Sequence, residues 1–356
     1  MSVPTVKLNS GYDIPVLGLG TWQSKPEEVT SAVTYALKET PAKHIDCAFG
    51  YGNEKDVGAG IAASGLPRSD IFITSKLWGT WHSRVEECLD QTLANLGTDY
   101  LDRTSRDSHK DELNLGYVVY LVHWPVPLNP NGNHPLIPTL PDGKRDVDHS
   151  WDIKDTWKQM EAMVKKGKVR SIGVSNFSQM NLEKLLATAE IVPAVDQLEL
   201  HIYNPQHKLL KYLRSKGIQP QAYSPLGSTN SPLFKDETVG EIATKYSLQP
   251  ADVLIGYLIS KDIVTLPKSV TPSRIAANVS GALAAKSKLQ PADIATLDGL
   301  AAAASRRDSS CLPGPWTSAS RTGLITLKIK TRRDCKSEKK HVISRSKNRV
   351  PLENTL

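Results

Sequence analysis

Long apolar runs are missing from this sequence. No stretch approaches the ~20 consecutive apolar residues of a membrane-spanning helix, so a membrane-embedded protein is not indicated. Met1 to Ser10 has no basic stretch followed by an apolar one, which gives no secretory signal. Cysteine is scarce: Cys47, Cys88, Cys311 and Cys335 are scattered, with neither metal-ligand nor disulfide spacing. No metal site is expected, and a reducing, cytoplasmic setting is. A cationic excess is also missing from most of the chain, although the formal net charge is +7. Residues 305–356 hold thirteen Lys/Arg and four Asp/Glu, a balance of +9, which leaves −2 for residues 1–304. The basicity belongs to the tail, and nucleic-acid binding by the main body gains no support. What remains is 356 residues, 39% hydrophobic and 23% charged, ample for a large buried core.

Short β-rich runs alternate with amphipathic helical stretches. Val16–Gly20, His44–Asp46, Ile71–Lys76, Tyr117–His123, Val169–Ser175, Ala194–Glu199, Ile218–Ser224 and Ile263–Pro267 read as eight strands. Glu27–Glu39, Ser83–Leu96, Ile153–Lys166, Gln179–Thr188, Pro205–Lys216 and Val239–Ser247 read as helices. Strands apolar on both faces and separated by helices imply parallel β/α units. Eight such units over ~250 residues predict a closed (β/α)8 TIM barrel, class α/β, rather than an open sheet. Before the first strand, Val6 to Ile14 centres on Asn9-Ser10-Gly11, which predicts an N-terminal β-hairpin on the barrel floor. Two segments break the rhythm. One is a polar, aperiodic insert at about 103–116, and the other is the basic tail 305–356, which reads as disordered. The barrel itself is expected over 1–304.

Polar residues sit where apolar strands end. Ile45 leads to Asp46, Ile71 to Ser75 leads to Lys76, and Val118 to Val122 leads to His123. In a parallel barrel these C-terminal strand ends share one rim, where active sites are built. Taken singly, a Lys at a strand end is usually solvated and a His usually structural; the signal is the delivery of an acid, a base and an imidazole to one rim. Tyr51 alone reads as a packing residue. Beside Lys76 it becomes a candidate general acid, because a phenol near ~10 keeps its proton at neutral pH, while an adjacent ammonium lowers its pKa. Asp46 would keep Lys76 charged, and His123 would orient a carbonyl. Gly18-Leu19-Gly20-Thr21-Trp22-Gln23 suggests a dinucleotide fingerprint, but the third glycine and the βαβ unit are absent.

Five stretches in this order resemble the aldo-keto reductase family: Ile45 to Glu54, Ile73 to Trp78, Tyr120 to Pro125, Gly173 to Phe177 and Leu266 to Ser269. The resemblance spans most of residues 5–300, and the Pro/Asn-rich loop from Val126 to Arg145 is similar to that of fungal members acting on small aldehydes and sugar-like carbonyls. It implies NADPH-dependent, reversible reduction of aldehydes or ketones to alcohols. By position it implies a catalytic group of Asp46, Tyr51, Lys76 and His123. It implies that Ser175, Asn176 and Gln197 hold the nicotinamide amide, that Tyr223 stacks on the ring, and that Ser224, Leu226 and Ser228 clasp the pyrophosphate. Lys268, Ser269 and Arg274 are implied to grip the 2′-phosphate of NADPH, as suits a dianion that needs cations. Thr21, Trp22 and Asn278 complete the implied cofactor contacts. Trp22, Trp78 and Trp124, with His123, are implied to line the substrate pocket. A monomer acting on a small-molecule carbonyl, with no nucleic-acid or membrane partner, is the corresponding expectation.

The chain departs from the family in three places. About sixteen extra residues stand between Tyr100-Leu101-Asp102 and Tyr120-Leu121-Val122-His123, before the fourth strand and so on the expected N-terminal rim, opposite the chemistry. Ala277 precedes Asn278 where many relatives have Glu-Asn, which removes one adenine hydrogen bond. The resemblance fades after about Ser305, where the family places a segment over the active site. Two other readings stay open at this stage: a cofactor-binding regulatory protein on the same barrel, and an aberrant product of low activity.

Overall fold

Alternation within each strand decides the architecture. The structure, a computed structural model, describes residues 2–98, 118–227 and 231–307, with backbone alone for residues 118 and 302–307. The chain opens on an antiparallel hairpin, β1 (Thr5–Lys7) and β2 (Asp13–Pro15). Then come β3 (Leu19–Gly20), β4 (His44–Asp46), β5 (Phe72–Leu77), β6 (Val118–Val122), β7 (Ser171–Ser175), β8 (Val195–Glu199), β9 (Gln219–Tyr223) and β10 (Val264–Leu266). Each pairs in parallel with its neighbour in sequence, and parallel bridges Leu17–Thr265 and Gly20–Lys268 join β3 to β10 and close the ring. The expected (β/α)8 barrel is therefore present.

Outward side chains such as Ile45, Ile73, Tyr120, Val122, Ile172 and Val174 pack with the helices in one large cluster. Inward ones at the N-terminal end, Phe72, Val119, Leu121, Val195 and Val264, form a second cluster with Leu8 and Ile14 of the hairpin. The hairpin is thus the floor, tied by Asn9 Nδ2 to the Pro193 carbonyl at 3.0 Å and by Ser10 to Ser171 at 2.6 Å between hydroxyls. His44, a polar side chain set against Phe72 of this floor, is satisfied by Thr74 at 2.9 Å, and Asp46 and Lys76 follow toward the opposite rim.

The helices are α1 (Pro26–Glu39), α2 (Glu54–Ser64), α3 (Val85–Leu96), α4 (Ile153–Lys165), α5 (Gln179–Leu186), α6 (His207–Ser215), α7 (Glu237–Tyr246), α8 (Pro250–Ile259), α9 (Pro272–Lys288) and α10 (Pro291–Arg307). Four of them, α2, α8, α9 and α10, were not among the expected six. In α2 the cause is Gly58 and Gly60, poor helix formers. A Cβ on Gly58 would lie 2.5 Å from the Asn95 carbonyl, and one on Gly60 2.8 Å from that of Thr30. These glycines let α2 approach α3 and α1. Helix α8 is buried all round from Asp252 to Ile259, so it lacks a polar face to give it a period.

Gly18 and Gly20 serve the seam. A Cβ on Gly18 would meet Leu266 at 2.8 Å and His44 at 2.9 Å, while the Gly20 N–H donates to the Pro267 carbonyl at 3.1 Å. The pair closes a barrel and cradles no phosphate. The chain divides into units 1–300 and 301–356. The expected insert at 103–116 and nearly all of the tail lie outside the described residues, as do Cys311 and Cys335. Cys47 and Cys88 are buried free thiols. No described helix is long and apolar enough to cross a membrane, and no cluster suited to a metal occurs among the described residues.

Candidate active site

Four inward or rim residues of neighbouring strands converge at the C-terminal end. Asp46 ends β4, Lys76 lies in β5, and His123 follows β6, placed by its backbone N–H donating to the Leu77 carbonyl at 3.1 Å. Tyr51 arrives on a short 3-10 turn, Phe49–Tyr51, closed by Gly52 at φ 70°. Only a residue at ease in the left-handed region can turn the chain there into α2. The register Leu77–Val122 is intact, so His123 reaches its place despite the long connection before β6.

Lys76 is fully buried, which for a lone ammonium would be prohibitive. It donates to Asp46 Oδ1 at 2.8 Å, Asp46 Oδ2 at 2.9 Å and the Cys47 carbonyl at 2.8 Å, and it reaches the Tyr51 phenol oxygen at 3.4 Å. Burial alone would push the ammonium down, but Asp46 and Tyr51 together hold its pKa above the usual lysine value. Burial pushes the Asp46 carboxyl up, while Lys76 and the Gln197 amide pull it back. Burial also dominates at Tyr51: Lys76 lowers the phenol pKa, as its charge requires, yet the net effect is a rise to about 12. The phenol therefore keeps its proton at any ordinary pH. Because Lys76 donates to its oxygen, the phenolic O–H remains available to donate elsewhere.

His123 is buried, and desolvation together with Lys76 holds its pKa well below the usual histidine value, so the imidazole is neutral. Its ring meets Tyr51 edge-on at 5.6 Å and Trp78 edge-on at 5.1 Å, and Trp124 stacks beside it at 6.3 Å between centroids. Its Nδ1 is buried without a hydrogen-bond partner among the described residues. Trp78 is fixed from two sides, by its indole N–H on the Leu136 carbonyl and by Gly50, whose added Cβ would lie 2.2 Å from the ring. Trp22 stands at the rim, 48% exposed. Of the three expected pocket tryptophans, two are thus packed around His123 and the third is an open edge.

A second group lies on β7, β8 and β9. Ser175 Oγ donates to the Gln197 carbonyl at 2.9 Å. Asn176, at φ 64°, donates from Nδ2 to the His123 carbonyl at 3.0 Å and accepts the Tyr223 hydroxyl at 2.9 Å. Gln197 Nε2 donates to Asp46 Oδ1 at 2.8 Å, which joins this group to the first. The structure thus brings Ser175, Asn176, Gln197 and Tyr223 together. Ser224, at φ 48°, leads into a turn closed by the Gly227 N–H on its carbonyl at 2.8 Å. Leu226 packs against the core, and Ser228 lies outside the described residues. Thr21, also expected at the cofactor, is buried, and its hydroxyl donates to the Asp46 carbonyl at 2.9 Å.

A third group gathers where β10 leads into α9. Ser269 accepts the Thr271 N–H at 3.1 Å, and Pro272 begins the helix. Lys268 and Arg274 are exposed and have no ion-pair partner among the described residues. Two unpaired cations beside a helix N-terminus suit a phosphate dianion. Asn278 is buried on α9, with Ala277 exposed beside it. The donor set therefore fits NADPH: Ser175, Asn176 and Gln197 could hold a carboxamide near Tyr51, Tyr223 lies next to them, and Lys268 and Arg274 could hold a 2′-phosphate.

Sequence reasoning missed three contributors. Glu54, buried, accepts from Ser75 at 2.7 Å, Thr92 at 3.3 Å and Asn95 at 3.3 Å, which anchors the start of α2 and with it the Tyr51 turn. Asn53 donates to the carbonyls of Thr21 at 3.0 Å and Ser24 at 3.2 Å. Gln221 accepts from Gln197 at 3.0 Å. Asn53 and Glu54 stand inside the stretch Ile45 to Glu54, but the partners that give all three residues their roles are distant in sequence.

Comparison with known proteins agrees with this geometry. The family model described as Aldo/keto reductase family matches residues 16–302. The chain is 48% identical over 282 residues to D-galacturonate reductase of Hypocrea jecorina, covering 78% of this chain and 86% of that protein. It is 44% identical over 284 residues to glycerol 2-dehydrogenase (NADP(+)) of Saccharomyces cerevisiae, with the same coverage of 78% and 86%. Among solved structures, the aldose reductase of Schistosoma japonicum superposes with TM-score 0.73 at 38% identity, covering 83% of this chain and 92% of that one. An aldo/keto reductase of Brucella melitensis gives TM-score 0.68 at 34% identity, covering 84% and 100%. The chain belongs to the aldo/keto reductase family and is an NADP-dependent oxidoreductase that acts on small carbonyl compounds.

Proposed function

We propose that this protein reduces small aldehydes and sugar-like or hydroxylated carbonyl compounds, with Tyr51 as the proton donor. The observation that carries the reading is the buried Lys76, 2.8 Å from Asp46 and 3.4 Å from the Tyr51 oxygen. NADPH supplies, when bound, a hydride for the carbonyl carbon. Ser175, Asn176 and Gln197 hold the carboxamide of its ring, Tyr223 backs the ring, and Lys268, Ser269 and Arg274 hold the 2′-phosphate. The neutral His123 imidazole orients the substrate carbonyl by a hydrogen bond toward Tyr51. As charge develops on the carbonyl oxygen, Tyr51 gives up its proton, and the Lys76 ammonium stabilises the phenolate that forms. Asp46 keeps Lys76 charged throughout. Trp78 and Trp124 exclude water from one side of the pocket, while Trp22 stands exposed at its edge.

The substrate class rests on the hydroxylated substrates named for two relatives, D-galacturonate and glycerol. A monomer fits this reading, since one chain supplies every member of the site, and a cytoplasmic enzyme fits the free thiols Cys47 and Cys88. The barrel over 1–304 would carry the whole activity, because every proposed contact precedes its end. NADPH oxidation measured against glyceraldehyde, sugars and uronic acids, for the full chain and for one ending at Arg307, tests the reading. Turnover of none of them overturns it. A cofactor-binding regulatory protein would bind NADPH without turnover, and the intact tetrad argues against that.

A further inference from the structure

Gln197 and Gln221 stand side by side in register on β8 and β9, both fully buried and both facing the barrel interior. Asp46, as a carboxylate, can only accept, so the end of the Gln197 amide that faces it must be the nitrogen. That nitrogen has two hydrogens. One goes to Asp46 Oδ1 at 2.8 Å and the other to Gln221 Oε1 at 3.0 Å. Both donors are then spent on the protein. The free end of the amide is Oε1, to which no described residue donates.

We infer that Gln221 is a positioning residue that commits Gln197 to act only as an acceptor toward the cofactor ring, and so selects a ring substituent that carries an N–H. The inference rests on the proposed placement of the NADPH carboxamide beside Gln197. Without Gln221, the second N–H of Gln197 would be unpaired in a dry interior. The amide would then gain by pivoting to offer that N–H outward, and an acceptor on the ring would serve as well as a donor. The cost that Gln221 itself bears points the same way. Its Nε2 is buried with no hydrogen-bond partner among the described residues. An apolar side chain of similar length would fill the space without an orphaned donor, so packing alone does not account for a glutamine here. Its Oε1, taken by Gln197, does.

The probe is the 3-acetylpyridine analogue of NADPH, in which a methyl group replaces the carboxamide NH2. Its binding and that of NADPH are measured by quenching of intrinsic fluorescence, without turnover, in the unmodified protein and in Gln221→Met. Loss of one directed hydrogen bond predicts about tenfold weaker NADPH binding in the variant. The analogue, which has no N–H to lose, should bind the variant almost as it binds the unmodified protein. Should Gln221→Met fail to fold, Gln221→Glu, which keeps an acceptor facing Gln197, must retain the preference for NADPH over the analogue. Equal weakening of both ligands in Gln221→Met, or loss of the preference in Gln221→Glu, would overturn the inference while leaving the cofactor site intact. Failure of the unmodified protein to bind NADPH would overturn the cofactor reading together with it.

Discussion

The Lys76 nitrogen lies 3.4 Å from the Tyr51 phenol oxygen, while its shorter bonds go to Asp46 and the Cys47 carbonyl. In the proposed mechanism the lysine is held for the moment at which the phenol loses its proton, rather than bound tightly to it beforehand. Tyr51→Phe removes the acid and leaves the cofactor contacts in place. Carbonyl reduction should fall by ~10²–10⁴-fold with NADPH affinity nearly unchanged. Steady-state turnover and fluorescence titration check this, and near-normal turnover would remove Tyr51 from the mechanism.

Lys76 and Asp46 also form a buried ion pair, with side chains 0% and 5% exposed. Removing one partner strands the other. Lys76→Met should cost about 3–5 kcal/mol in denaturant unfolding, whereas Lys76→Met with Asp46→Leu should recover most of that stability and none of the activity. A double variant as unstable as the single one would show that the pair is not what fixes the cost.

Lys268 and Arg274 have no described ion-pair partner to lose, so neutralising them should act on the ligand rather than the fold. Each charge-assisted bond to phosphate contributes about 1.5–3 kcal/mol, so Lys268→Met with Arg274→Leu should weaken NADPH by about 10²-fold or more. NADH, which lacks the phosphate, should bind as before. Parallel titrations of the two cofactors decide this, and equal losses would place the phosphate elsewhere.

Asp196 offers a pH test on stability. It is fully buried on β8, with the Phe177 backbone as the hydrogen-bonding group beside its carboxyl. Burial pushes its pKa well above the usual carboxylate value, and the Phe177 backbone offsets this only in part. The folded protein then keeps this proton where the unfolded chain has lost it. Stability falls as pH rises above the unfolded value near ~3.9, and the loss persists beyond the folded value. Asp196→Asn removes that dependence. Its melting temperature should exceed that of the unmodified protein at pH 7, by an amount worth about 1–3 kcal/mol, and the gain should vanish toward pH 4. A variant less stable at pH 7 would mean that the carboxylate has a partner in solution.

The eight strands, the floor hairpin and the gathering of Asp46, Tyr51, Lys76 and His123 were legible because each leaves a local trace: apolar runs ended by a polar residue, a turn at Asn9-Ser10-Gly11, and a fixed spacing from Asp46 to Tyr51. Helix α2 was not legible, because Gly58 and Gly60 are chosen by the backbones of α3 and α1 against their own helix propensity. Helix α8 was not, because burial on every side erases the period that marks a helix. The bond that the Thr21 hydroxyl donates to the Asp46 carbonyl was not legible either, because it links residues 25 positions apart.

The sequence alone determined which chemical groups reach the rim, since strand direction and period dictate where Asp46, Lys76 and His123 must emerge. It could not determine their protonation. Lys76 by itself lowers the Tyr51 pKa, and only the closed barrel, by excluding water, turns that into a net rise to about 12. Nor could it show that Gln197, 151 residues after Asp46, donates to the same carboxylate that charges Lys76. Desolvation and long-range hydrogen bonds depend on what the chain brings together across the barrel, and no local pattern of residues encodes them.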